Sequence, residues 1–328
     1  MIEFEDILEA HDRIKTYIHH TPLFHSDLLN QWLAHDIYFK TECLQKIGAF
    51  KARGAVNTVA WLIENNIRVD HIVAQSSGNH AQAVAWASKQ FGIPATIFMP
   101  SYASKIKMQA CRSYGAELKL FDTRDEVDAR VKLAAEEEHT YWIHPFNNEL
   151  VMAGQGTATL EALNEMQQAD AVCAPCGGGG LLSGTYIAAR GSSSKIQVIG
   201  GEPLNANDAA MSIRAKSIQK LNGTPDTIAD GVMTPAVGTL TFEYLLKLDD
   251  MIEVSEQAIQ YWTQWLNHLL KIRVEPTSAV AMAAMHQWLK RQTSRKRVLV
   301  ILSGGNFDQE TELKVWKENY LNLLPGEV

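Results

Sequence analysis

The feature that most constrains the fold is an alternation of short β-rich apolar runs with longer stretches of helical periodicity. This alternation is typical of a mainly parallel sheet with helices on both faces, so the sequence predicts an α/β protein. The length of 328 residues allows a large core and suggests two domains. The predicted strands cover residues 36–41, 71–76, 95–100, 116–122, 170–175, 196–202 and 297–303. The predicted helices cover residues 81–92, 105–115, 149–166, 256–271 and 277–291.

The composition excludes several classes of function. The chain has 37 acidic residues against 30 Lys and Arg, and its net charge of -7 argues against nucleic-acid binding. No apolar run approaches the roughly 20 residues of a membrane-spanning helix. The acidic, amphipathic N-terminus fits no signal or transit peptide, and with only four cysteines we expect a reduced, cytoplasmic setting. Cys173 and Cys176 form a lone CxxC within a predicted strand, which indicates buried structural residues.

Small polar residues and glycines follow three predicted strands, in "SSGNHAQA" (76–83), "CGGGGLLSG" (176–184) and "LSGGN" (302–306). Ligands bind beyond the carboxyl ends of the strands in open α/β sheets, so these loops indicate one cleft. The four glycines precede a predicted helix and suit a phosphate. They lack the Lys-Ser/Thr pair of a P-loop, and residues 192–198 lack the ribose-binding acid of a dinucleotide site. The "SSGNH" turn suits a carboxylate or caps a helix, and "LSGGN" by itself indicates only a turn.

Lys51 lies in "GAFKARGA" (48–55), among small and apolar residues that solvate an ammonium group poorly. Such a lysine, a phosphate site and a carboxylate site are together what pyridoxal phosphate chemistry on an amino acid requires. The amine forms a Schiff base with the cofactor aldehyde, and desolvation lowers its pKa and frees the neutral amine. The sequence therefore predicts that Lys51 binds the cofactor covalently.

Seven motifs occur in a fixed order along nearly the whole chain: "GAFKARGA", "SSGNHAQA", "GGGGLLSG", "GEPLNAND", "TIADGV", "EPTSA" and "SGGN". In these motifs the chain resembles the serine/threonine dehydratase and serine racemase family, pyridoxal phosphate enzymes of the tryptophan synthase β-type fold. The resemblance implies a two-domain α/β fold with mainly parallel sheets. Residues 1–69 and 149–328 would form the larger, cofactor-binding domain, and residues 70–148 the smaller domain that closes over the substrate.

The resemblance also assigns roles to residues. Lys51 would bind the cofactor and then act as the base at the substrate α-carbon, and Ser303 would face the pyridine nitrogen. Ser77 would deliver a proton from the opposite face, as in the racemases, or would only cap a helix or contact the carboxylate. The implied cofactor-binding residues are Lys51, Phe50, Asn79, Gly177, Gly178, Gly179, Gly180, Leu181 and Ser303. The implied substrate-binding residues are Ser76, Ser77, Gly78, Asn79 and His80.

"GEPLNAND" resembles the divalent-cation site of the family. Glu202 and Asp208 would be ligands together with the carbonyl of Ala206, a set of oxygens that suits Mg2+, Ca2+ or Mn2+. The alternative is that Asn205 or Asn207 caps the next helix and the two acids are solvated.

Three positions depart from the pattern associated with racemases. Ala49 replaces a common serine, Ile47 replaces a common threonine near the nucleotide site of animal racemases, and Phe146 replaces a common asparagine. We therefore predict a dehydratase that converts L-serine, L-threonine or 3-hydroxyaspartate into a 2-oxo acid and ammonia. A serine racemase and a 3-hydroxyaspartate dehydratase are the alternatives within the family, and the resemblance implies a homodimer. The rival classes are a nicotinamide-dependent dehydrogenase, which leaves Lys51 unexplained, and a non-catalytic ligand-binding protein of this fold.

Overall fold

Two sheets form the framework of the protein. The computed structural model describes residues 1–103, 105–166 and 168–325. The strands are β1 (Leu23–Phe24), β2 (Asp36–Thr41), β3 (His71–Gln75), β4 (Ala95–Pro100), β5 (Glu117–Phe121), β6 (Thr140–Trp142), β7 (Ala171–Pro175), β8 (Gln197–Pro203), β9 (Asp250–Val254) and β10 (Arg297–Leu302). One sheet has the order β1-β2-β10-β7-β8-β9, and the other has the order β5-β4-β3-β6. All neighbouring strands are parallel except the antiparallel pair β1 and β2.

Helices cover the sheets, as the alternating sequence pattern predicts. They are α1 (Phe4–Ile14), α2 (Asp27–Leu33), α3 (Lys51–Glu64), α4 (Asn79–Gln90), α5 (Lys105–Ser113), α6 (Arg124–Ala134), α7 (Glu149–Met166), α8 (Gly180–Ser192), α9 (Asp208–Ala215), α10 (Thr239–Leu245), α11 (Glu256–Leu270), α12 (Pro276–Leu289) and α13 (Gln309–Val315). The mixed α/β fold with mainly parallel sheets is therefore confirmed. Among the residues described, none of these helices combines the length and the apolar character that crossing a membrane requires.

The four-stranded sheet lies wholly between residues 71 and 142. This position supports our proposal that residues 70–148 form the smaller domain and that residues 1–69 and 149–328 form the larger one. All seven predicted strands are present, and none of their ends differs by more than one residue. Strands β1, β6 and β9 are absent from the prediction. The first two are too short to show a period in the sequence, and charged residues interrupt the third.

Strand β10 is the centre of the larger sheet and pairs with β2 on one side and β7 on the other. Its residues from Val298 to Leu302 are fully buried, as expected for a parallel strand that is covered on both faces. Cys173 lies in the neighbouring strand β7 and Cys176 follows that strand. Both are buried free thiols, and burial raises the pKa of each, so the structural interpretation of the CxxC holds.

A fully buried cluster of charges joins β2, α3 and α7. The guanidinium of Arg53 donates to Glu42 through Nε at 2.6 Å and Nη2 at 2.8 Å. It also donates to Glu161 through Nη1 at 2.8 Å and Nη2 at 2.7 Å, and to Thr157 Oγ1 at 3.1 Å. Lys40 donates to Glu161 at 2.7 Å, so two cations face two carboxylates. Burial by itself would raise the pKa of Glu161, but the two cations hold it at about 2.

The substitution Glu161→Gln tests the contribution of this cluster to stability. Removal of one carboxylate leaves Arg53 and Lys40 buried with a single counter-charge, so we expect a loss of about 3–5 kcal/mol in the free energy of unfolding. The matched control is Glu310→Gln, which removes a carboxylate from the exposed Lys314 pair and is expected to cost less than about 1 kcal/mol. Denaturant titration of both variants measures the difference, and equal losses would contradict the prediction.

Candidate active site

Lys51 is the first residue of α3 and its amine is poorly solvated. The Nζ atom donates to the carbonyl of Pro145 at 2.6 Å and lies 5.0 Å from the centre of the Phe50 ring. Removal from water lowers the pKa of Lys51 to about 8. The N-terminus of a helix also disfavours a cation. With this pKa roughly a tenth of the lysine is a neutral amine at pH 7, far more than for an ordinary lysine whose pKa is about 10.4.

The end of β10 lies directly beside this lysine. The amide of Phe50 donates to the carbonyl of Ser303 at 2.9 Å, and Ala49 forms a bridge with Gly304. The Ser303 hydroxyl is buried and lies 3.2 Å from the hydroxyl of Ser278, which the sequence analysis did not identify. A pair of neutral hydroxyls thus occupies the end of the central strand.

Asn79 begins α4 and is bound by two residues whose roles were not predicted. Its Oδ1 accepts from Asn306 Nδ2 at 2.9 Å, and its Nδ2 is 3.3 Å from each carboxylate oxygen of Glu275. The main-chain amide of Asn306 also donates to Glu275 Oε2 at 3.0 Å. Burial, and then the charge of Asp230, raises the pKa of Glu275 to about 7. Both residues lie in the recognised motifs "EPTSA" and "SGGN", but only the folded contacts reveal what they touch.

The turn from Ser76 to His80 connects β3 to α4. The hydroxyl of Ser76 accepts from the amide of Gly78 at 3.0 Å, and Ser77 is partly exposed in the same turn. Nε2 of His80 is 2.8 Å from the carbonyl of Ile143, and burial lowers the pKa of this histidine well below its usual value. His80 is therefore neutral, and its contact with the carbonyl of Ile143 holds the end of the turn in place.

The four-glycine loop follows β7 and opens α8. The first helical hydrogen bond runs from Ser183 N to Gly179 O at 2.8 Å, so the preceding amides have no acceptor within the helix. Gly179 has a φ of 92°, and a Cβ at Gly178 would overlap the ring of Phe146. Thr241 Oγ1 donates to the carbonyl of Gly178 at 2.7 Å. The loop thus presents free donors at a helix N-terminus in a shape that only glycine permits, which suits a phosphate group.

An ion pair connects the two sheets at this cleft. Lys107 of α5 is buried and its Nζ lies 2.5 Å from the carboxylate of Asp230. Arg124 of α6 donates to the carbonyl of Met233 at 2.8 Å. No sequence pattern indicated these contacts, because each joins residues more than 100 positions apart. Together they attach the helices of the smaller sheet to the segment that follows α9.

Glu202 and Asp208 lie in the interior, so the alternative in which these acids are solvated is wrong. Glu202 accepts from the amides of Ala209 at 3.0 Å and Ala210 at 2.9 Å. Both carboxylate oxygens of Asp208 are buried and lack a hydrogen-bond partner among the described residues. An uncompensated buried carboxylate beside a second one is costly and suits a bound cation.

The capping alternative for this segment is also wrong. Asn207 precedes α9 but its side chain donates to Glu253 at 2.7 Å, and Asn205 donates to the carbonyl of Asp226 at 2.9 Å. Within the described part of the chain, no group of three or more His, Cys, Asp and Glu side chains gathers as metal ligands would. The main-chain carbonyl of Ala206 would therefore have to join the two acids.

Comparison with known proteins agrees with this geometry. The family model described as pyridoxal-phosphate dependent enzyme matches residues 14–304. The chain is 40% identical to a serine racemase from Dictyostelium discoideum, covering 96% of this chain and 98% of the relative. It is 42% identical to an L-threo-3-hydroxyaspartate ammonia-lyase from Saccharomyces cerevisiae, covering 98% of this chain and 96% of the relative.

A solved structure shows the same likeness in three dimensions. The crystal structure of a threonine deaminase from T.th. superposes with a TM-score of 0.88 at 39% identity, covering 94% of this chain and 99% of that chain. The family model matches most of the chain, and the two relatives match nearly all of it. This chain therefore belongs to the family of pyridoxal-phosphate-dependent enzymes.

Proposed function

We propose that this enzyme eliminates water from a short hydroxy amino acid and releases a 2-oxo acid and ammonia. The observation that carries the proposal is the desolvated amine of Lys51, which is adjacent to the end of β10 and near the glycine loop. Similarity to an ammonia-lyase, a deaminase and a racemase supports a hydroxy amino acid as the substrate. L-Serine, L-threonine and 3-hydroxyaspartate are the candidates.

The residues of the cleft fit pyridoxal phosphate. The free amides of the loop from Gly177 to Leu181 would bind the phosphate, and Lys51 would bind the aldehyde carbon. Asn79 would donate to the ring oxygen, with its amide oriented by the contacts to Asn306 and Glu275 described above. When bound, the cofactor supplies a sink for negative charge that develops at the substrate α-carbon.

The protein groups then divide the proton transfers between them. The Ser76–His80 turn would hold the substrate carboxylate with the free donors at the start of α4. Lys51 would take the α-proton as a neutral amine, a role that its lowered pKa supports. Departure of the β-hydroxyl completes the elimination, and water hydrolyses the released enamine to the 2-oxo acid and ammonia.

Two observations favour elimination over the other reactions open to such a site. The neutral hydroxyl pair of Ser303 and Ser278 need not keep the pyridine nitrogen protonated, which would favour loss of the β-hydroxyl over transamination. Phe146 fills the space above the glycine loop, at a position where racemases tend to carry asparagine.

A serine racemase is the second candidate, and Ser77 is the observation that favours it. This hydroxyl belongs to the turn that would bind the substrate carboxylate and is partly exposed. A proton returned by Ser77 to the face opposite Lys51 would invert the α-carbon. We propose this as a side activity of the same site.

Glu202, Asp208 and the carbonyl of Ala206 would hold Mg2+, Ca2+ or Mn2+ in a structural role. The orphaned oxygens of Asp208 support this proposal. The homodimer that the resemblance implies, and the cytoplasmic location expected from the N-terminus and the cysteine count, stay predictions.

Incubation with L-serine tests the reaction. We expect pyruvate to exceed D-serine, because the hydroxyl departs before the far face is reprotonated. Both products are measured in one sample, with L-threonine and 3-hydroxyaspartate as parallel substrates. An excess of D-serine would show that the enzyme is mainly a racemase and not a dehydratase. The absence of product from all three substrates would contradict both assignments.

The Ser77→Ala variant separates the two activities in the same assay. Loss of a positioned proton donor should lower D-serine formation by about 100-fold or more, while pyruvate formation persists. Loss of both products together would instead assign Ser77 to substrate binding.

The Lys51→Ala variant tests the cofactor lysine. We expect it to lose the yellow chromophore and nearly all turnover, whereas Lys89→Ala, at an exposed position of α4, keeps both. In the unaltered protein stripped of cofactor, the rate of chromophore formation should rise as the pH increases through about 8, because only the neutral amine attacks the aldehyde. Turnover by Lys51→Ala, or a rate that is independent of pH from 6 to about 9, would count against the assignment.

Thermal unfolding with and without divalent ions tests the cation site. An ion at about 100 times its dissociation constant adds about 2.7 kcal/mol to the folded state, so the midpoint should rise by several degrees and fall with a chelator. Asp208→Asn should abolish this response, and Asp226→Asn, an exposed acid nearby, should retain it. An equal response in both variants would place the ion elsewhere.

A further inference from the structure

Helix α7 separates the helix that begins at Lys51 from the helix that begins at the glycine loop. It packs against α3 on one side and against α8 on the other. The two proposed attachment points of the cofactor lie at the first residues of these outer helices. The relative position of the attachment points therefore depends on how closely each outer helix approaches α7.

Backbone touches backbone where α3 meets α7. A Cβ at Gly154 would lie 2.6 Å from the Cα of Gly54 and 2.7 Å from the carbonyl oxygen of Arg53. A Cβ at Gly54 would in turn lie 2.7 Å from the carbonyl oxygen of Val151. Only a pair of glycines permits this approach, because side chains normally hold packed helices about 8–10 Å apart between axes. The contact is three residues from Lys51.

A second contact of the same kind joins α7 to α8. A Cβ at Gly184 would lie 2.6 Å from the amide nitrogen of Gly156 and 2.6 Å from the carbonyl oxygen of Met152. A Cβ at Gly156 would lie 2.8 Å from the carbonyl oxygen of Gly184. Gly184 is one turn after Gly180, the last glycine of the loop. The two contacts on α7 are only two residues apart, so one short piece of this helix touches both neighbours.

Polar contacts fix the register of these helices. The guanidinium of Arg53 binds the carboxylate of Glu161 through two hydrogen bonds. The amide of Gly54 donates to Gln155 Oε1 at 3.2 Å, and Asn57 donates to the carbonyl of Leu150 at 2.7 Å. On the other side, the hydroxyls of Thr159 and Thr185 are 3.0 Å apart. The glycine contacts therefore cannot slide along the helices without breaking buried hydrogen bonds.

We infer that the glycine contacts of α7 set the distance between Lys51 and the phosphate-binding loop to the length of the cofactor. This inference rests on the proposed function, in which one rigid molecule is held at both of its ends. Two attachments reinforce each other only when their spacing matches the molecule that joins them. Gly54, Gly154, Gly156 and Gly184 are in this sense positioning residues, none of which has to touch the cofactor.

Substitution of Gly184 by alanine tests the inference from the phosphate side. To move from 2.6 Å to the 3.4 Å of ordinary contact, α8 has to shift by about 0.8 Å relative to α7. The matched control is Gly191→Ala at the other end of α8, where the new methyl group would overlap Cγ, Cδ2 and Cβ of Phe4, the partly exposed first residue of α1. This overlap displaces the first turn of α1 and involves no atom of α7, so the attachment points keep their separation.

The measured quantities are the dissociation constants of pyridoxal phosphate and of pyridoxal for the full chain stripped of cofactor. In each case the amine of Lys51 condenses with the aldehyde and releases water, which gives a yellow product. Pyridoxal lacks the phosphate, so it is attached at the Lys51 end of the site and not at the glycine loop. We expect Gly184→Ala to weaken binding of pyridoxal phosphate roughly tenfold to 100-fold while binding of pyridoxal stays close to that of the unaltered protein. Gly191→Ala should leave the ratio of the two constants unchanged.

Two more variants provide the test if Gly184→Ala does not fold. Gly154→Ala displaces α3 instead of α8, and Arg53→Lys loosens the link between α3 and α7 without added volume. Each should lower the preference for pyridoxal phosphate over pyridoxal. General destabilisation would weaken both ligands together and leave their ratio constant.

The outcomes separate this inference from the proposed function. In one outcome the unaltered protein forms the chromophore while no folded variant changes the ratio of the two dissociation constants. That result would overturn the spacing role of the glycines and leave the proposed function intact. An unaltered protein that forms no chromophore with either aldehyde would overturn the proposed function and the spacing role with it.

Discussion

The arrangement of the cleft depends on the way that Arg53 is neutralised. A guanidinium two residues after Lys51 would add a buried positive charge beside an amine that already lacks solvent. Two bidentate carboxylates, from Glu42 and Glu161, use nearly all of its donors and balance its charge. The first turn of α3 is thereby attached both to the segment that directly follows β2 and to α7. The low pKa of Lys51 then arises from desolvation, since none of the described residues supplies a counter-ion that would hold the ammonium form.

Parallel pairing then gathers residues that are distant in the chain. The turns after β3, β7 and β10 lie at the same ends of their strands, and each turn contributes one part of the site. Asn79 and Glu275 are separated by 196 positions and yet their side chains are within 3.3 Å. The smaller sheet supplies the Ser76–His80 turn, while the larger sheet supplies the four-glycine loop and the hydroxyl of Ser303. The site is therefore complete only where the two sheets meet.

Local chemistry decided which parts of this site could be predicted from the sequence. Lys51, the glycines and the "SSGNH" turn are recognisable because their residue types are unusual for their local surroundings. Glu275, Asn306 and Asp230 lie in recognised motifs, but their roles come from partners far away in the chain, so the motifs did not reveal their contacts. Lys107 lies in none of these motifs. The helix glycines illustrate the same limit: Gly154 in a helical pattern indicates only a weaker helix, and its contact with Gly54 exists only after folding.

The central place of β10 has a consequence for the order of events during biosynthesis. Strands β2 and β7 do not pair with each other, and each meets only β10 on its inner side. While the ribosome is still making the segment before residue 297, both strands have open edges and the apolar residues that will face β10 are uncovered. Strand β2, near the N-terminus, must therefore wait for one of the last strands before the larger sheet closes. A chain that stops short of that strand leaves the apolar edges of β2 and β7 exposed, which is the condition under which partly folded chains aggregate.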